Sequence, residues 1–293
     1  MWILLAIGSA LSLGFYDIFK KLSLNGNNVA YVLFLNTLFC TLLLSPVQLE
    51  GITSGTFGFG TAHNHLFILT KSVIVLSSWA LGYLAIKHLP LTITGSVNAT
   101  RPVMVLVGAL LIFSERLNLM QWIGITLGFM SLFVISHIGS KEGFSLKHSK
   151  WLWLCIASTF LGAVSALYDK FLMKRFDPMP VQAWYTLYQC LLMGVVLLIM
   201  RSKPAASNAD RFQWRWSIPL ISVFITAGDL AYFYALSIPG SMVAIVSMIR
   251  RGSVFVSFCY GAIFLHEKNI KMKLIDLMVL LAGLSFIIIG SME

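Results

Sequence analysis

Long apolar stretches alternate with short polar connections along the whole chain. A helix needs about 20 apolar residues to cross ~30 Å of hydrocarbon. With Pro, Gly and clustered charge as punctuation, the pattern predicts ten spans, at residues 2–22, 29–47, 65–87, 91–113, 118–138, 151–173, 181–200, 216–237, 241–265 and 271–290. The polar segment Gly139–Lys150 divides five from five. The predicted fold is an all-α membrane protein of ten transmembrane helices in two five-helix repeats, 1–139 and 151–293, joined by a connecting loop at 140–150. Five is an odd number, so the second repeat enters the membrane from the opposite side and the repeats are inverted. The ten helices and their connections leave no room for a soluble domain within 293 residues. The opening Met1-Trp2-Ile3-Leu4-Leu5 lacks a basic segment and a cleavage signature, and it reads as a retained first span.

The polar residues within the spans also repeat. Gly-Phe-Tyr-Asp-Ile-Phe at 14–19 returns as Ala-Leu-Tyr-Asp-Lys-Phe at 166–171. Ser114-Glu115-Arg116 returns as His266-Glu267-Lys268 at the same distance. Pro90 precedes Arg101 by the same interval at which Pro239 precedes Arg250. A repeat of half a chain written in apolar residues is the signature of a transporter built from two similar halves.

Composition supports lipid as the solvent. Charged residues make up 11% and hydrophobic residues 58%, whereas a soluble domain carries about 25% charge. Net charge is +10, but Lys and Arg form no runs, so nucleic acid is excluded as a partner and anionic lipid headgroups take its place. Thirteen Lys and Arg fall in connections after odd-numbered spans and three in those after even-numbered spans. That bias places both termini outside the cytoplasm. The four cysteines each lie in an apolar stretch without a Cys-x-x-Cys neighbour, which argues against disulfides and zinc. His63 and His65 have no further ligands nearby, so no metal is expected there. No cofactor is expected.

Charges within spans are the candidate chemistry, because each costs about 2.5 kcal/mol or more to insert. Thr94, Asn98 and Arg101 share one helix face in the fourth span, and Pro102 then removes a backbone donor, predicting a kink. Ser247, Arg250 and Ser257 fall near one face of the ninth span, beside Arg251. Arginine's planar fork suits carboxylate or phosphate. Asn98, Arg101, Arg250 and Arg251, with the aromatics Trp79 and Tyr83, are therefore the candidate substrate-binding residues. The competing reading pairs these arginines internally with Asp17, Asp169 or Asp229. Those three carboxylates and Lys71 are candidates for proton coupling or for charge pairing. For Asp17 and Asp169 the favoured reading is ion pairing at helix ends, with Lys20 and Lys170 close by. Gly124-x-x-x-Gly128 permits close helix approach, within the bundle or in a homodimer.

Two five-span halves, with Leu89-Pro90 through Ser114-Glu115-Arg116 and Gly124–Gly128 in the first and Ile238-Pro239 through His266-Glu267-Lys268 and Gly283 in the second, resemble EamA-type members of the drug/metabolite transporter superfamily. The resemblance implies a multi-pass carrier of small solutes in a cell membrane, taken as a bacterial inner membrane, with both termini in the cytoplasm, against the charge bias. The Arg250-Arg251 pair looks like the Lys-Arg pair with which related organic-phosphate translocators hold phosphate.

The expected function is secondary transport of a small anionic or zwitterionic metabolite by alternating access, without ATP, and with a proton or a counter-substrate as partner. The second reading is efflux of cationic or lipophilic compounds through the carboxylates and aromatics. An intramembrane enzyme or sensor is the third and weakest, since Gly-x-Ser-x-Gly and His-Glu-x-x-His are both absent.

Overall fold

The structure is a computed structural model of the chain, and it describes residues 1–24, 26–55, 62–88, 97, 100–139, 150–201, 212–253, 256 and 270–290. Among the described residues all regular structure is helical. The helices are α1 (Trp2–Leu24), α2 (Val29–Leu43), α3 (Ser45–Thr53), α4 (Ala62–His88), α5 (Arg101–Ile112), α6 (Leu119–Gly139), α7 (Lys150–Met173), α8 (Pro178–Arg201), α9 (Ser217–Ser237), α10 (Val243–Arg250) and α11 (Ile270–Gly290). Each predicted span overlaps one of them. Five are long and apolar enough to cross a membrane, within α1, α4, α7, α8 and α9, and a sixth is counted if α2 and α3 are taken together.

The predicted second span is broken. Its axis bends by 55° between α2 and α3. Leu44 leaves the helical region at φ −99°, ψ 4°, and Pro46 sits in the first turn of α3. Proline's missing N–H is harmless there but would interrupt a continuous ladder. Pro102 likewise sits in the first turn of the described helix that begins at Arg101, with Thr100 as N-cap; most of the stretch before it, on which the predicted kink depends, lies outside the described residues.

The halves interlock. Helix α1 packs on α9, and its repeat counterpart α7 packs on α4. Helix α1 also meets α10, as α7 meets α5; α2 meets α9, as α8 meets α4. Helices α2 and α8, α5 and α10, and α6 and α11 pair with each other directly. Exchanging the repeats therefore maps these contacts onto one another, and the core lies between the halves.

Close approach explains several of these pairs. A Cβ on Gly124 would stand 2.6 Å from the Gly283 carbonyl oxygen, and one on Gly283 would stand 2.8 Å from that of Gly124. Backbones of α6 and α11 thus touch, and Gly128 is filled by Met248, so the small-residue motif is used within the chain. Ser78 and Ser158 each donate to the other's carbonyl, at 2.8 and 2.6 Å, and tie α4 to α7. Ser9 donates to the Gly228 carbonyl at 2.7 Å and ties α1 to α9. Large apolar side chains such as Leu4, Leu11, Leu191, Val195 and Leu198 remain exposed on the outer faces, as a lipid-facing surface requires.

Candidate functional site

Three arginines from the two halves converge at helix breaks. Arg101 opens α5. Arg250 closes α10, and Arg251 follows in a turn in which Arg251 and Gly252 donate to Met248 and Ile249. The three lie close enough to feel one another's charge. Cations suit the C-terminal end of α10, where carbonyls are left over. Arg101 stands instead at the positive end of α5, where no acidic residue occupies the first turn. Its guanidinium fills the space over Gly162 of α7, where a Cβ would come within 2.5 Å of Cζ. The buried Nε of Arg101 has no hydrogen-bond partner among the described residues, and neither has that of Arg250.

The carboxylates divide their roles. Asp229 of α9 accepts from Arg250 Nη2 at 2.8 Å, with both side chains about one-fifth exposed. The same guanidinium lies 4.0 Å over the Tyr232 ring, a cation–π contact. Asp169 of α7 is buried and bonded to Lys71 of α4. The Lys71 ammonium also sits 4.3 Å from the Tyr185 ring centre and 4.7 Å from that of Phe233. The expected pairing of Asp169 with Lys170 at a helix end is thus replaced by a buried pair with a helix of the other half. Adjacent positions on a helix point about 100° apart, so Asp169 and Lys170 serve different neighbours. Asp17 is exposed. It shares a face of α1 with Gly14, which packs against Val256 and the Ser253 carbonyl, and the charges nearest it are Lys20 and Arg251.

A second charged cluster surrounds the turn between α9 and α10. Lys170 donates to the Leu236 carbonyl at 3.0 Å, to the Ser241 carbonyl at 2.6 Å and to Ser241 Oγ at 2.5 Å. Glu115, from the connection between α5 and α6, accepts from the Val243 N–H at 2.7 Å and from the Ala244 N–H at 3.3 Å. A cation thus stands at the carbonyl end of α9 and an anion at the N–H end of α10, as helix dipoles favour. Burial raises the Glu115 carboxyl above its ordinary value, against the two N–H groups and the charges of Lys170 and Lys174.

Sequence reasoning missed Gly162, Ser158 and the capping by Glu115. The repeated Ser114-Glu115-Arg116 was the one available signal for the last. Trp79 packs partly buried against the core. Asn98, Ser257, Glu267 and the side chain of Tyr83 lie outside the described residues. His65 engages Tyr188 Oη through Nδ1 at 2.9 Å and stands edge-on to Trp184.

No curated protein matches the chain in a sequence comparison. A crystal structure of another protein superposes with a TM-score of 0.70 over 97% of each chain, at 13% sequence identity, a likeness of fold. The EamA-like transporter family matches the chain twice, over residues 1–137 and 149–289. Two matched repeats, helices apolar enough to span, and charges gathered between the halves agree: the chain belongs to the EamA-like transporter family of the drug/metabolite superfamily and is a multi-pass integral membrane transporter.

Proposed function

We propose that this transporter moves a small anionic or zwitterionic metabolite (an amino acid, organic acid or organic phosphate) by alternating access between two inverted five-span repeats, ten spans in all. Arg101, Arg250 and Arg251 hold the anionic group. The supporting observation is their convergence from both halves, with Arg101 unmatched by any carboxylate among the described residues. Among the charges described there, Lys20, Lys71 and the three arginines outnumber Asp17, Asp169 and Asp229, and the excess of positive charge suits an anion. Arg101 also adds its charge to the positive end of α5, and both attract the same ligand. Motion of one set of helices against the other exposes the site to each side in turn, driven by the substrate's own gradient, a proton or a counter-substrate.

The test is thermal stability of the purified protein against a panel of phosphorylated and carboxylated anions. A ligand at ~100 Kd adds about 2.7 kcal/mol of apparent stability. A charge-assisted hydrogen bond is worth about 1.5–3 kcal/mol, so Arg101→Ala is expected to weaken the anion roughly 10- to 150-fold while the apo protein melts normally. A shift produced only by cations or lipophilic compounds, unchanged in Arg101→Ala, would discard this reading in favour of efflux through Asp17 and Asp229.

A further inference from the structure

The helix that ends in Arg250, just before Arg251, is held at its other end by the opposite half of the chain. Helix α10 is eight residues long. Its first amides donate to Glu115, 128 and 129 positions earlier. The preceding turn, with Gly240 at φ +81°, is fixed from a third direction by Lys170, which is 5% exposed. A cavity of about 500 Å³ opens beside this contact, lined by Phe113, Glu115, Lys170, Lys174, Pro239 and Ser241 among others. Behind it, Val243, Ala244 and Val246 are buried. The cavity therefore reaches Glu115 but not the first turn of α10. Any movement that separates α10 from the connection between α5 and α6 must first take Glu115 off the two amides.

We propose that Glu115 is the latch that closes this end of the translocation path, holding the arginine-bearing helix against the first half until the halves move apart. The proposal rests on the transporter reading of the arginine site. Glu115 does not touch the substrate; it acts through α10 and is a positioning residue. The groups that face it are the two amides of α10, Lys170 from α7, and Lys174 from the segment after α7.

Hydrogen exchange and cysteine labelling on the purified full chain test it together. Position 244 is 4% exposed, so Ala244→Cys reacts with a water-soluble maleimide when this end opens. Glu115→Ala is expected to speed exchange at the Val243 and Ala244 amides about tenfold, the scale of a lost helix cap, and to speed labelling at position 244 in step. Glu115→Gln keeps the shape and one acceptor oxygen, and should stay within about threefold of the unmodified latch on both readouts. Faster exchange in Glu115→Ala without faster labelling would make Glu115 a helix cap alone and overturn the proposal, as would unchanged exchange. Should Glu115→Ala fail to fold, Glu115→Asp is too short to reach both amides and carries the same expectations at intermediate size. Neither readout depends on what the arginines bind, so failure of the latch and failure of the anion reading are told apart.

Discussion

Lys71→Met tests what the buried pair between α4 and α7 is for. The side chains of Lys71 and Asp169 are 3% and 7% exposed, and the ammonium is flanked by the rings of Tyr185 and Phe233. Removing one partner of a buried pair leaves an uncompensated charge and costs about 3–5 kcal/mol. The lost cation–π contacts add about 0.5–2 kcal/mol. The folding equilibrium constant should fall by roughly two and a half to five orders of magnitude, read by denaturant titration in detergent micelles. The double variant Lys71→Met with Asp169→Leu removes both charges, and replacing a whole buried pair by apolar groups is often neutral. It should recover to within about 1 kcal/mol of the parent. A single variant as stable as the parent, or a double variant no better than the single, would refute the reasoning. The double variant also separates structure from coupling. If it folds and still transports, the pair is structural; if it folds and transport stops, transport needs the charged pair itself.

Three further perturbations probe other parts of the molecule. Gly162→Val places a side chain where the Arg101 guanidinium lies, 2.5 Å from its Cζ; anion affinity in the thermal-shift assay should drop about tenfold or more, whereas Gly8→Ala, with nothing within 4 Å of its added Cβ, should leave it unchanged. Gly124→Val drives a side chain into the Gly283 carbonyl, 2.6 Å from the nearest new atom, and since backbone cannot give way as a side chain would, a loss of about 1–3 kcal/mol or more is expected in the same denaturant titration. The latch should also respond to pH. Its closed form holds the Glu115 carboxyl above the ordinary value, so the closed form binds the proton more tightly than the open, hydrated one. Acid therefore favours closure; the effect is fully present below the ordinary carboxylate value of about 4.3 and is lost as pH rises through the raised one. Labelling at Ala244→Cys, taken relative to a fully exposed cysteine at the same pH to cancel the thiol's own ionisation, should quicken with rising pH across that window, and Glu115→Gln should remove this relative dependence; a relative slope of opposite sign would refute it.

What was legible in the sequence follows the range of each interaction. Span positions depend on local hydropathy, so α1, α4, α7 and α9 begin and end within a few residues of the predicted limits. The face predicted for Arg101 with Thr94 and Asn98 falls on positions outside the described residues, whereas the matching intervals to Pro90 and Pro239 are plain in the sequence itself. The break at Leu44 was written in Ser45-Pro46, but proline reads equally as a kink, a helix start or a span end until packing decides. Partnerships between elements were illegible. Lys71 and Asp169 are 98 positions apart, and Glu115 reaches an amide 128 positions away. Both contacts join one half to the other, so only interlocking of the repeats brings them together. Gly162 gave no signal at all, because its role is the room it leaves for a guanidinium on another helix.

The repeats share a backbone arrangement but not a charge arrangement, and the difference bears on function. The contact of α4 with α7 corresponds to that of α9 with α1. On the first, α4 supplies a lysine to Asp169. On the second, α9 contains no lysine or arginine and supplies Asp229 instead, while α4 has no acidic residue. Asp17, the repeat counterpart of Asp169, therefore meets no cation from α9, and the charges nearest it are Lys20 of its own helix and Arg251, just past the end of α10. A two-fold site with identical halves would offer a ligand two equivalent orientations. Here one arm is neutralised in the core by Lys71 and Asp169, and the other keeps its charges at the helix breaks, where Arg250 is already shared with Asp229 and Arg101 meets no carboxylate among the described residues. On the proposed reading, an anionic group has one electrostatically preferred end of the site, beside Arg101. Placing a carboxylate opposite it, as in Gly162→Asp, should neutralise that end from within and abolish anion-induced stabilisation without loss of fold; stabilisation that persists would show that the anion sits elsewhere.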